Sequence, residues 1–210
     1  MGNSYPSKYN SSGIWSISDI YKNKVTHKTY PNGGVRGLWM GGGAPGISDV
    51  MDFITFSTTG DATDFGNLSA ARDLNGGGAN SIRALCAGGQ APGVSNVIDF
   101  VAIASTGNAS DFGDLTDQRG YCAGMANDTR QITSGGLDPG FSNIIDFVEI
   151  ATTGNAIDFG NLTSTPALNT NCASQTRGIN CGGTAVSGGG TNLNIIDFIE
   201  ISSTGNALDF

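Results

Sequence analysis

The sequence is poor in the groups that chemistry at a catalytic centre needs. It holds one histidine, His27, and only 13% charged residues in 210. One imidazole near the N-terminus cannot serve as the general base of a repeated body. No Gly-x-Ser-x-Gly elbow occurs, and Gly-rich stretches such as Gly41-Gly-Gly43 lack the Gly-Lys-Ser/Thr ending that grips phosphates. Cysteine is scarce too: Cys86, Cys122, Cys172 and Cys181 show none of the close spacings of zinc or redox motifs, so reduced structural thiols are expected. Asp and Gly interrupt every apolar run before it reaches membrane-spanning length. No apolar leader follows Met1, and Pro6 stands where a myristoylation signal needs Ser or Thr. These absences predict a chain made in a cytoplasm, not inserted in a membrane, with no enzymatic activity, no cofactor and no metal. A glycosidase needs only two carboxylates among the 18 acids, but the acids here recur with a structural repeat.

Positive charge is confined. All four lysines (Lys8, Lys22, Lys24, Lys28) lie in the first 28 residues, where Asp19 is the sole acid. Beyond them six arginines face 17 acids. A basic arm of about +3 thus precedes an acidic body of about −11. An acidic body repels phosphate backbones, which argues against nucleic acid as a partner.

What the chain has in abundance is glycine, 33 residues, arranged in a repeat. Asp-Phe dipeptides stand at 52–53, 99–100, 146–147 and 197–198, and a second set at 64–65, 111–112, 158–159 and 209–210. Thr-Gly pairs separate them, ending at Gly60, Gly107, Gly154 and Gly205. Arg36, Arg83, Arg130 and Arg177 step by 47, so the four extra residues of the last unit fall in the loop 186–194. Each unit reads as four short strands: an Arg-Gly strand ending in Gly-Gly, an apolar strand such as Ile144-Ile-Asp-Phe-Val-Glu-Ile150, a third with the second Asp-Phe, and a weaker fourth. Tight turns of the type Thr153-Gly-Asn155 join the second and third. Helical periodicity is absent from this region.

Four antiparallel strands in about 47 residues is the size of a propeller blade. The expected fold is therefore all-β: four propeller-like repeats over 35–210, with units starting near 36, 83, 130 and 177, and a short, mostly irregular arm over 1–34. Such units are stable only against their neighbours, so the eight repeat phenylalanines are expected to fill the core between blades. Asp52, Asp99, Asp146 and Asp197 sit inside apolar strands, where each must accept backbone N–H bonds or pair with a repeat arginine. The fourth unit stops after its third strand, and residues 25–30 are expected to supply the strand missing from the last blade.

The unit Asn143-Ile-Ile-Asp-Phe-Val-Glu-Ile-Ala-Thr-Thr-Gly-Asn-Ala-Ile-Asp-Phe-Gly-Asn-Leu-Thr163 resembles the glycine-rich, kelch-like repeats of virion proteins of tailed phages of marine bacteria, cyanophages among them. The opening Ser12-Gly-Ile-Trp-Ser-Ile-Ser-Asp-Ile-Tyr21 is similar to the leader that precedes such repeats. The resemblance covers nearly the whole chain. It implies a virion structural protein, a tail, fibre or other particle-surface component, homo-oligomeric in the particle. It also implies contacts to other virion proteins and to a host receptor or glycan. A non-viral propeller-type interaction scaffold is the alternative.

Two sets of residues are candidates for such contacts. Trp15, Ile17, Ile20 and Tyr21 give the arm a small apolar surface for anchoring, with Ser16 and Asp19 placed to cap a helical turn. The loops between first and second strands (43–49, 89–96, 136–143 and 183–194) are the least uniform part of the repeat, as a ligand-facing surface would be. Their candidate binding residues are Pro45, Pro92, Asp138, Pro139, Phe141, Ser187, Gly189 and Asn192.

Overall fold

A computed structural model describes residues 35–43, 45–90, 92–137, 139–185 and 191–210. All regular structure among them is β. The first sheet is β1 (Arg36–Gly42), β2 (Ser48–Thr55) and β3 (Thr63–Asn67), in that order. The second is β4 (Gly76–Ala79), β5 (Arg83–Ala87), β6 (Val97–Ala102) and β7 (Ser110–Asp114); the third is β8 (Ala123–Ala126), β9 (Arg130–Ser134), β10 (Ile144–Glu149) and β11 (Ile157–Asn161). The fourth is β12 (Thr170–Ala173), β13 (Arg177–Cys181), β14 (Ile196–Glu200) and β15 (Leu208–Asp209). Every pairing is antiparallel between strands consecutive in sequence. The expected succession of propeller-like, blade-sized sheets is what forms.

The weak strand, however, joins a different sheet from the one expected. β4 does not close the sheet of β1–β3; it crosses over and pairs with β5. The local turn decides this, because Asn80 Oδ1 accepts from both Ile82 N and Arg83 N at 2.8 Å and closes a short hairpin. The second, third and fourth sheets each thus take their first strand from the tail of the preceding unit. The last sheet is complete with four strands, which removes the vacancy that residues 25–30 were expected to fill; those residues lie outside the described ones. The three-stranded sheet is the first, and a groove of about 540 Å³ runs between β1 and the glycine-rich β4.

Three apolar clusters lie between consecutive sheets. Met51, Phe65 and Leu68 of the first unit meet Ala84, Cys86, Val101 and Ile103 of the second. Leu85, Ile98, Phe112 and Leu115 then meet Val148 and Ile150, and Ile132, Ile145, Phe159 and Leu162 meet Ile199 and Ile201. The two phenylalanines of each unit contact edge to face, with ring centroids 5.6–6.1 Å apart. A unit has no core of its own, so burying a phenylalanine, at about 2–3 kcal/mol, stabilises only a stack of units. The expectation of eight phenylalanines in the core is met in part: Phe65, Phe112, Phe147 and Phe159 are buried, Phe53, Phe100 and Phe198 are half-buried with an arginine over each ring, and Phe210 is exposed.

The motifs shared by all units are the joints between them. In Asp-Phe-Gly the aspartate accepts from the glycine N–H two residues on, as Asp111 does from Gly113 N at 3.1 Å. That glycine has φ 146°, and a Cβ there would lie 2.4 Å from the carbonyl oxygen of Gly154 in the next Thr-Gly turn. The turn in return donates Gly154 N to Phe112 O at 2.8 Å and Ala156 N to Asp114 O at 2.7 Å.

Candidate binding face and the buried ion pairs

The loop ends of the four units are tied into one ribbon by backbone hydrogen bonds. Gly42 N donates to Arg72 O at 3.0 Å, Gly89 N to Arg119 O at 3.0 Å, and Gly136 N to Pro166 O at 2.8 Å. Each of those acceptor segments also bridges to the loop base of its own sheet: Asp73 with Gln90, Gly120 with Leu137, and Ala167 with Thr184. Within each longer loop a further bond closes the stem, namely Ser95 N to Gly89 O, Ser142 N to Gly136 O and Leu193 N to Gly183 O, all at 2.9 Å. Inward of the ribbon, Tyr121 N donates to Leu74 O at 2.8 Å and Leu168 N to Tyr121 O at 3.0 Å. These three residues hold left-handed φ of 55–57° without being glycine, a strained conformation that the column of bonds between units offsets.

The structure therefore puts the bases of the four loops side by side. Pro45, Pro92, Pro139 and Asn192 are exposed at that end. Phe141 is half-buried and bridges back to Leu137, in the position that Val94 takes against Gln90 and Asn192 against Thr184. Asp138, Ser187 and Gly189, and the arm residues Trp15, Ile17, Ile20 and Tyr21, lie outside the described residues. Among the described residues, no group of three or more His, Cys, Asp or Glu is arranged to hold a metal ion. What the loop end can do chemically is contact: short Pro-Gly tips, peptide dipoles and one aromatic on a rigid support suit a polar macromolecular surface better than a small molecule.

Beneath that face lie buried ion pairs. Asp99 accepts from Arg72 Nη2 at 2.8 Å and from Ser69 N and Oγ at 2.9 and 2.8 Å. Asp146 repeats the arrangement with Arg119 at 2.9 Å and Thr116 at 3.1 and 2.7 Å. Asp197 keeps Thr163, at 2.9 and 2.6 Å, but Pro166 occupies the place of the arginine. The expected partners of these carboxylates need correcting in one respect. The arginines of the 47-residue step do not pair with them. Arg36, Arg83, Arg130 and Arg177 lie 4.5–4.9 Å over the rings of Phe53, Phe100, Phe147 and Phe198. Three of them also donate Nη1 to the next unit, at Ile103 O, Ile150 O and Ile201 O, each at 2.8 Å.

Arg72 and Arg119, not the arginines of the 47-residue step, are the buried cations that pair with these carboxylates. Their signal was present, since both stand 27 residues before an Asp-Phe aspartate. Burial also governs the thiols. It pushes Cys86 up to about 11, against the opposing pull of Arg72, and raises Cys122 as well. Both therefore stay protonated and unreactive in the folded chain. No protein-family model matches this chain, and no curated protein matches it either.

Proposed function

We propose that this protein is a structural component of a tailed-phage virion, a tail, fibre or other particle-surface part. Its arm docks in the particle, and its loop end faces outward toward a host receptor or glycan. The observation that carries this reading is the gathering of the four least uniform segments of a strict repeat at one end of a hydrogen-bonded ribbon. The repeat grammar, which resembles that of phage structural proteins, supplies the virion context. Loops on such a base can change sequence without disturbing the cores between sheets, which suits a surface that must follow a changing partner.

Mass spectrometry of purified virions tests the context directly: the protein is expected there at a fixed copy number per particle. Replacement of the loop 183–194 by the sequence of 136–143 tests the outward face. The exchanged protein is expected to fold and enter particles while adsorption to the host falls. Absence from particles would favour the non-viral scaffold, and unaltered adsorption would leave the loop end without a binding role.

A further inference from the structure

The interfaces between consecutive sheets share the same joints, so the joints cannot tell one neighbour from another. Side chains along the inner strands do differ, and they differ as matched pairs. Between the second and third sheets Gly78 of β4 lies against Gln131 of β9, where a Cβ on the glycine would stand 2.7 Å from Gln131 Cγ. Between the third and fourth sheets the equivalent positions hold Met125 of β8 and Gly178 of β13, and a Cβ on that glycine would stand 2.5 Å from Met125 Sδ. The large residue has changed sides. Neither Gly78 nor Gly178 has a positive φ, so each is glycine for the space it leaves and not for its backbone. Gln131 is buried and neither atom of its amide finds a partner, so it acts here through its bulk. A second difference accompanies the first. Between the third and fourth sheets the buried Ser134 hydroxyl accepts from Asn171 Nδ2 at 2.9 Å and from Asn180 Nδ2 at 3.1 Å, and Asn180 Nδ2 also donates to Asn171 Oδ1 at 2.7 Å. One repeat earlier these three positions are Ala87, Gly124 and Thr133, and the inner strands touch through main chain: a Cβ on Gly124 would lie 2.4 Å from Gly77 O.

We propose that these inner-strand pairs set the order in which the sheets stack, so that a face accepts its own successor and rejects the other sheets of the same chain or of a second copy. Two wrong neighbours show how. A third sheet set on the third sheet of another copy brings Met125 against Gln131, two long side chains in the room that a glycine otherwise provides. It also leaves the Ser134 hydroxyl facing Gly124 and Thr133 in place of its two asparagines. A fourth sheet set on the second brings Gly78 against Gly178, which leaves a gap, and puts Asn171 and Asn180 opposite Ala87, without the hydroxyl that receives them. In that stacking Asn171 also forces apart inner strands that otherwise touch. Each error combines a mismatch in volume with buried polar groups left unpaired. A chain of near-copies needs this discrimination because its joints fit any neighbour. It stands whether or not the protein belongs to a virion.

Rewriting the interface of the third and fourth sheets with the identities found between the second and third tests this in the full chain. One set changes the third sheet's side, Met125→Gly with Ser134→Ala. The other changes the fourth sheet's side, Asn171→Gly with Gly178→Gln and Asn180→Thr, and a combined variant carries both sets. Each set alone is expected to lower the thermal midpoint by about 5–10 °C, and the combination to recover most of both losses. If one set alone fails to fold, the combined variant decides: folding supports the pairing, and failure overturns it. The combined variant then offers the same pair of faces at both interfaces, so its refolding from urea is expected to yield less native protein as concentration rises, at concentrations where the parent refolds fully. Losses that simply add in the combined variant, or a combined variant that refolds as completely as the parent at every concentration, would overturn the proposal.

Discussion

The carboxylates of the second strands show how much one missing cation changes. Asp146→Asn leaves the Arg119 guanidinium charged and buried, with its Nε and Nη1 already lacking protein partners, and is expected to cost about 3–5 kcal/mol. Asp197→Asn loses only charge-assisted bonds from Thr163 and is expected to cost about 1–2 kcal/mol. Urea unfolding of the two variants under one set of conditions checks the order. Cys86 adds a dependence on pH. Its thiol rises from 9.0 to about 11 on folding, so the unfolded chain loses that proton first. Stability from this group is complete below about pH 9 and declines as pH rises to about 11, by roughly 2–3 kcal/mol in all. Denaturation midpoints measured across that window are expected to fall less steeply for Cys86→Ala than for the parent.

At the scale of the strand and its turn, the glycines divide into two kinds. Gly113→Ala drives a methyl group to 2.4 Å from the Gly154 carbonyl oxygen, while a Cβ on Gly107 meets nothing within 4 Å. Both positions have φ near 150°, so Gly107→Ala is expected to cost about 1–2 kcal/mol of strain. Gly113→Ala is expected to exceed it by at least about 2 kcal/mol, because backbone must move. Thermal melts of the pair test that difference. These elements were legible in the sequence because Asp-Phe-Gly and Thr-Gly-Asn recur at fixed spacing and alternate as strands do. The sheet that β4 joins was not legible in the same way. Its residues, Gly-Gly-Gly-Ala, carry no side-chain pattern to show a partner, and the choice is made by the Asn80 turn. The partner of Asp99 was hidden for a related reason: Arg72 is distant in sequence and approaches only once the crossing segment 68–75 is in place. The loop end was legible as a break in repetition, and its ribbon was not, because main-chain bonds leave no residue signature.

Across the described residues, stability is a sum over neighbours, because each apolar cluster joins two sheets consecutive in sequence. Among the described residues the second and third sheets have both faces covered, whereas the first and fourth have one. Amide hydrogen exchange is therefore expected to be slowest in β5, β6, β9 and β10 and faster in β14 and β15. The uniformity of the joints also bears on how such a gene changes length. Removal of residues 83–129 would connect Ile82 directly to Arg130, and β4 would then face β9 across the same kind of turn that Asn127 makes before Arg130. Recombination between equivalent codons can thus delete or duplicate a unit without inventing a new joint.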